Sequence, residues 1–380
     1  MKFDLIKDFL EPINVAKITD DEGFNKSQLG AHFLINRDGN FDSLDFDIAI
    51  IGSNEYRGLG IGKCVEHAAN NIRKELYKLY LWKGIYNVAD LGNVKVGNTL
   101  NESYAALSAV IKFLLENKKK VLIIGGSQDI TIPQYQSYKG FKRLVDCINI
   151  DPAIDFDVEG NLPAYNYLEN LFTSLPNHLR HFNLIGFQNY FSNIEVLETM
   201  DNLSFDSMRI GEMRRDMLEC EPVFRNSHFV SLDVNVIQYS HAPSNINSIN
   251  GLDGVEICQL AMFAGMSNLC TSFGIYNFVA DNDVKNLTAK QLAQMIWNYL
   301  IGHALSLGER PLKDKKFFLV YHIEIPQIHE KFVFLKSTVT NRWWMMLKDN
   351  KFIACSQSDF FNLKNNQEIP DRWLREMERQ

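Results

Sequence analysis

The sequence lacks a Cys-x-x-Cys pair, an apolar run of 18 residues and a block of five or six basic residues. Each absence removes a class of function. Six cysteines are scattered at positions 64, 147, 220, 258, 270 and 355. That pattern fits reduced thiols in the cytoplasm better than a disulfide or zinc framework. Without a long apolar run, no membrane-spanning helix is expected. The opening MKFDLIKDFLEPI breaks its apolar residues with Lys2, Asp4, Lys7 and Asp8, so it does not read as a secretory signal. A net charge of −7, with basic groups as short as Lys118–Lys120 and Lys315–Lys316, argues against a nucleic-acid surface. There is no internal repeat and no low-complexity linker. The 380 residues are read as one domain, with an N-terminal extension (1–44), a core (45–305) and a C-terminal extension (306–380).

What is present alternates. Short runs rich in Ile, Val and Phe recur at 45–52, 121–126, 145–151, 181–187, 228–234 and 271–276, and read as strands. Amphipathic stretches at 64–80, 103–119 and 289–305 read as helices. In the second, Leu107, Val110, Leu114 and Leu115 share one face. Buried strands alternating with helices predict an α/β fold, a parallel sheet covered on both faces. The tail differs. Segments 316–325 and 331–339, followed by Arg342–Leu347, read as an antiparallel hairpin added to the main sheet or beside it. The last fifteen residues read as a polar helix or loop.

GLGIGK (58–63) follows a strand and precedes a helix, but it departs from both phosphate-loop patterns. Arg57 stands where a Walker loop needs Gly, Cys64 replaces its hydroxyl, and Lys63 replaces the last Gly of a dinucleotide fingerprint. It reads as a plain connecting loop. The acids carry more. Gln128, Asp151, Asp155 and Asp233 follow strand-like runs, and ligands bind beyond the carboxyl ends of parallel strands. Each Asp alone could simply cap a turn. Together they would repel unless a cation or proton intervenes.

Their order resembles the arginase family of ureohydrolases. GGSQD (125–129) resembles its Gly-Gly-Asp-His-Ser segment, and DPAID (151–155) its Asp-Ala-His-x-Asp. SLDVNVIQYSHAP (231–243) resembles its Ser-x-Asp-x-Asp segment, and GLDGVEICQL (251–260) the stretch opening the next helix. YRGLG (56–60), NIRKEL (71–76) and VADLG (88–92) are similar to further family segments. The resemblance spans roughly 45–305, and length and tail look most like the formimidoylglutamase branch. It implies a three-layer α/β/α sandwich and oligomeric assembly. It also implies hydrolysis of a guanidino or formimino compound by two manganese ions held on two His and four Asp.

Set against that pattern, the ligand set is incomplete. The His positions fall on Gln128 and Ala153, and the fourth Asp falls on Asn235, leaving Asp151, Asp155 and Asp233. A Glu that binds the substrate cation falls on Asn277, and residues 152–177 hold no His for proton transfer. The resemblance therefore assigns metal-ligand positions to Gln128, Asp151, Asp155, Asp233 and Asn235. Catalysis falls to Asp155, and Asn277 holds the substrate-binding position. One hard divalent cation (Mn2+, Mg2+ or Ca2+) is expected rather than a manganese pair. The leading expectation is a homo-oligomeric cytoplasmic protein with a degraded centre and weak or no catalysis, contacting neither nucleic acid nor membrane. One alternative is an active hydrolase on a rebuilt one-metal site, with Asp129 or Asp157 as substitute ligand or base. The other is a structural or regulatory subunit, suggested by the aromatic tail after 315. His241 is either at the pocket mouth or in a surface loop, and His322 and Glu324 share one strand face. Trp343-Trp344 reads as core or oligomer contact.

Overall fold

The computed structural model describes residues 3–19, 23–61, 67–141, 143–157, 160, 162–245, 249–326 and 330–378. Its strands in chain order are β1 (Leu10–Glu11), β2 (Leu34–Ile35), β3 (Ile48–Ser53), β4 (Val88–Val94) and β5 (Lys120–Ile124). They continue as β6 (Val145–Ile150), β7 (Leu179–Phe187), β8 (Asp206–Arg209), β9 (Phe229–Asp233) and β10 (Ser272–Tyr276). These ten form one sheet in the order β1-β4-β3-β5-β10-β9-β6-β7-β8, with β2 also on β4. Every pairing is parallel except β1 with β4.

Side chains alternate across this sheet. Leu122, Ile124, Ile148, Ile150, Val230 and Leu232 enter one buried cluster. Val121, Ile123, Val145, Cys147 and Phe229 enter the other. A sheet buried on both faces is why these strands read as unbroken apolar runs. Helices Ala68–Leu76, Gly254–Met266 and Leu287–Ser306 bury residues in the first cluster, and Leu100–Glu116 in the second. The result is the expected α/β/α sandwich.

All six strand-like runs are strands, with ends shifted by up to three residues. The helix expected at 103–119 runs over Leu100–Glu116 instead. Thr99 and Glu102 form a reciprocal cap at its start, and Lys118 turns left-handed just past its end. Part of the helix expected at 64–80, and Gly62 and Lys63 of GLGIGK, lie outside the described residues.

β4 is not apparent as a strand in the sequence, because VADLGNV is polar yet fully buried. Asp90 and Arg73 are both 0% exposed and joined by two hydrogen bonds, 2.9 and 3.0 Å. Tyr77 donates to Asp90 at 2.7 Å, and Arg73 also reaches Asn93 and the Gly92 carbonyl. The pair pins Ala68–Leu76 to the sheet. Its two charges satisfy each other where water cannot.

The tail forms its own four-stranded antiparallel sheet: β11 (Phe318–Ile325), β12 (Glu330–Ser337), β13 (Trp343–Met346) and β14 (Phe352–Cys355). The expected hairpin is thus half of a separate sheet, closed by helices Gln357–Asn366 and Asp371–Glu378. Trp343 stacks on Phe360 at 4.8 Å, and Trp344 meets Phe318 edge-on at 5.6 Å. The tryptophan pair is therefore core packing. His322 and Glu324 share the exposed face of β11, where Glu324 pairs with Lys331. Among the described residues, no helix is long and apolar enough to cross a membrane.

Removing one partner of a buried ion pair strands the other charge, at about 3–5 kcal/mol. Asp90→Ala is therefore expected to lower the unfolding free energy by about that much in guanidinium chloride titrations. A loss below about 1 kcal/mol would show that the Arg73–Asp90 pair does not anchor the helix.

Candidate functional site

Four adjacent parallel strands, β5, β10, β9 and β6, present their carboxyl ends side by side. Each delivers polar side chains to the same place. After β5, Gly125 and Gly126 turn left-handed (φ 86° and 89°). A Cβ on Gly125 would lie 2.6 Å from the Ser53 carbonyl, so the turn requires glycine there. The turn drives Ser127 and Gln128 into the interior, both 0% exposed. Ser127 donates its amide N–H to the Glu55 carbonyl at 2.8 Å.

β6 ends just before Asp151, and β9 ends on Asp233. Asp155 lies four residues past Asp151. One carboxylate oxygen from each of these three residues falls within 4.8 Å of the others. The sequence-predicted acids thus converge. Asp129 does not join them: it is buried beside Gly58 and accepts a short hydrogen bond from Tyr104. Asp157 is not in the cluster either, and Asn235 donates its side-chain amide to Asp233 at 3.2 Å.

The donors around the trio are amides. Asp151 Oδ1 accepts from the Ala153 backbone N–H (2.9 Å), and Oδ2 from Gln128 Nε2 (2.7 Å) and Asn149 Nδ2 (3.2 Å). Asp233 Oδ1 accepts from the Asn235 backbone N–H (2.6 Å), and Oδ2 from Asn277 Nδ2 (2.8 Å) and Asn235 Nδ2 (3.2 Å). Asn277, left-handed at φ 63° after β10, links the two halves. Its Oδ1 accepts the Gln128 backbone N–H (2.9 Å), and its Nδ2 also donates to Gln128 Oε1 (3.2 Å). No such amide bond reaches the Asp155 carboxylate among the described residues.

Burial raises all three acids. The Asp151 carboxyl is pushed up to about 6, against the lowering pull of its amide donors. Asp233 rises to about 8, from burial and then from the charge of Asp151. Asp155 rises well above the ordinary range, from burial and then from the charges of Asp151 and Asp233. Raised together, the three carboxyls bind protons more tightly than free carboxylates do unless a cation takes their place. The donor set fits a hard cation: three carboxylates converge, oxygen is the only ligand atom, and no imidazole or thiolate joins them among the described residues.

Asn149 and Tyr167 are site residues that the sequence reading missed. Tyr167 donates to Asn149 Oδ1 at 2.9 Å, and Gln128 Nε2 lies 3.0 Å from Tyr167 Oη. Asn149 was findable, since two positions before Asp151 on a strand is the same face. Tyr167, at the start of a helix, left no such signal. Tyr165, half-exposed, has its phenol raised by burial and then by the charges of Asp155 and Asp233, which places it at the rim of the site. His241 lies against Gly254, at the start of its helix.

The sequence model of the arginase family matches residues 46–302. The chain belongs to the arginase family. A formimidoylglutamase from Halalkalibacterium halodurans is 21% identical over 244 residues, covering 58% of this chain and 74% of that protein. Among solved structures, a Trypanosoma cruzi formiminoglutamase with Mn2+ superimposes at a TM-score of 0.65 and 18% identity, covering 76% of this chain and all of that one. Bacillus subtilis formimidoylglutamase gives 0.62 at 18%, covering 70% and 90%. A Streptomyces clavuligerus proclavaminate amidino hydrolase gives 0.57 at 17%, covering 69% and 93%. These likenesses establish the arginase-type sandwich for the core.

The raised acids set a pH dependence. A carboxyl whose folded pKa exceeds its unfolded value binds more protons when folded, so it costs stability as pH rises between the two. For Asp151 the window is from about 3.8 to about 6, and for Asp233 from about 3.8 to about 8. Metal-free protein is therefore expected to melt at a lower temperature at pH 8 than at pH 6. Asp233→Asn is expected to shrink that difference. Identical pH slopes in parent and variant, followed by scanning calorimetry, would contradict the assignment.

Proposed function

We propose that this arginase-family protein keeps the ureohydrolase pocket but holds at most one hard divalent cation there. It would hydrolyse formimino or guanidino compounds weakly or not at all. The observation that supports this reading is a count of lone pairs. A carboxylate oxygen accepts about two hydrogen bonds. Asp151 Oδ2 and Asp233 Oδ2 each already take two amide donors, and each Oδ1 takes one backbone N–H. One acceptor site remains on each of those residues, together with the Asp155 carboxylate. That suffices for a single cation. It is too little for two ions that must share bridging carboxylates.

The residues divide the work accordingly. Asp151, Asp155 and Asp233 would hold the cation, which would supply Lewis acidity and a more acidic bound water. Gln128 stands at a ligand position, but its carbonyl faces Asn277. Ala153 offers its backbone N–H in place of an imidazole. Asn277 is neutral and hydrogen-bonded to both Gln128 and Asp233, so it cannot form the charged bidentate pair that fixes a guanidinium or amidinium. Asn235 serves Asp233 as a donor rather than as a ligand. The five described cysteines are free thiols, in keeping with a reducing cytoplasmic setting.

Incubation with Mn2+, desalting and elemental analysis are expected to give one ion or fewer per chain, and Asp155→Ala none. Turnover of formimidoylglutamate, arginine and agmatine is expected to lie several orders of magnitude below an ordinary hydrolase, near kcat values of 1 s−1 and above. Two ions per chain with rapid hydrolysis of any of these substrates would overturn the reading.

A further inference from the structure

The two edges of the C-terminal sheet are treated differently. Beside β14, helix Cys220–Asn226 covers the edge: Asn226 exchanges hydrogen bonds with the backbone of Ala354, at 3.2 and 3.4 Å, and Arg225 donates to the Cys355 carbonyl at 3.0 Å. β11 has no such cover among the described residues. Its register on β12 is unbroken from Phe318 to Ile325, and Thr338 donates its backbone N–H to the Phe317 carbonyl at 2.8 Å. That bond fixes the phase of the ladder. Leu319, Tyr321, Ile323 and Ile325 turn their N–H and C=O groups to β12, and Phe318, Val320, His322 and Glu324 turn theirs outward. No backbone hydrogen bond among the described residues reaches these outward groups. The strand also lacks the usual guards of a bare edge. It holds no proline, bulge or lysine, and its one acid, Glu324, is already paired with Lys331. Leu319 is 49% exposed and Val320 45%.

We propose that β11 is a dimer interface, pairing antiparallel with β11 of a second copy about a two-fold axis through Tyr321. The strand is complementary to itself in that register. Phe318 falls opposite Glu324 of the second copy and Val320 opposite His322, so every outward residue of both strands finds a backbone partner. Sliding the pair by two residues either way leaves one outward residue of each copy beyond the end of the other strand. On the opposite face, Leu319 meets Ile323 of the second copy, and Tyr321 meets its own equivalent. Tyr321 and Ile323 already pack against the apolar cluster of the tail, so the pairing extends that layer from one sheet into the next. Charge agrees as well: Glu324 at each end comes beside the segment of the second copy where Lys315 and Lys316 precede Phe318.

The test is the mass of the full chain in solution, by light scattering. The parent is expected to contain an even number of chains. Leu319→Lys sets a charge against Ile323 of the second copy and should halve that mass. A second variant reads the register directly. Residues 319 and 323 of opposite copies form a pair without hydrogen bonds between them, whose close Cα spacing lies within disulfide reach. Leu319→Cys/Ile323→Cys under mild oxidation should therefore give a covalent dimer on non-reducing gels, and Leu319→Cys alone should not. A monomeric parent, an odd number of chains, an unchanged mass in Leu319→Lys, or no more crosslinking in the double variant than in the single one would each overturn the proposal.

Discussion

Three carboxylates forced together at the tips of parallel strands must be compensated, and the rest of the site follows from how. Asp151 follows β6 directly and Asp233 ends β9, and these strands are hydrogen-bonded neighbours, so the sheet itself brings their oxygens close. Asp155 follows on the next loop. In water, solvent and counterions would screen three such charges from one another. In the interior they cannot, and each is driven to keep its proton or find a positive partner. Here the nearest partners are the N–H dipoles of Gln128, Asn149, Asn235, Asn277 and the Ala153 backbone. These carry partial rather than full charge. They stabilise Asp151 and Asp233 in part, and the Asp155 carboxyl receives none of them.

That distribution reads as a division of the pocket. The side near Gln128 and Asn277 is closed by hydrogen bonds between amides and acids. The side near Asp155 keeps free acceptor capacity and borders the half-exposed Tyr165. A cation entering from the Asp155 side meets a carboxylate already calling for charge. Entry near Asp233 Oδ2 would first require breaking the Asn277 bond, at about 1–3 kcal/mol for a buried donor left unpaired. The core keeps the arginase-family sandwich, and the proposed difference in chemistry lies in a handful of side chains at its strand tips.

Much of this was legible in the sequence, for reasons that differ by residue. The buried strands announced themselves, because a sheet covered on both faces writes unbroken apolar runs such as VLII. The positions of Asp151, Asp155 and Asp233 followed from where those runs ended. β4 escaped, since its Asp90 and Asn93 are polar and their burial depends on Arg73 and Tyr77 some 13 to 20 residues away. No local pattern reports such a partner. The tail was half-read: β11 and β12 alternate plainly, but β14 is only four residues long and is held by pairing with β13. Within the site, the resemblance pointed to positions one by one, and three of them, Asp151, Asp155 and Asp233, come together. What could not be foreseen was their mutual hydrogen bonding, because it depends on which way two amides point.

That direction is fixed by a single backbone group. The N–H of Gln128 can only donate, so the atom of Asn277 it meets must be the carbonyl oxygen. The Asn277 amino group is then turned toward Asp233 Oδ2 and Gln128 Oε1. Gln128 Oε1 accepts there, so its own amino group must face Asp151. The chain of donors runs in one sense from β5 through β10 to β9 and β6, with no free choice at any step. Gln128 and Asn277 therefore act as one unit. Placing an imidazole at 128 alone would leave the Asn277 amino group still occupying Asp233. Placing a carboxylate at 277 alone would set a fourth negative charge beside Asp233 with no second cation to hold it. On the reading proposed above, a two-ion centre would need ligands at 128, 153 and 235 together, with Asn277 changed as well to release Asp233.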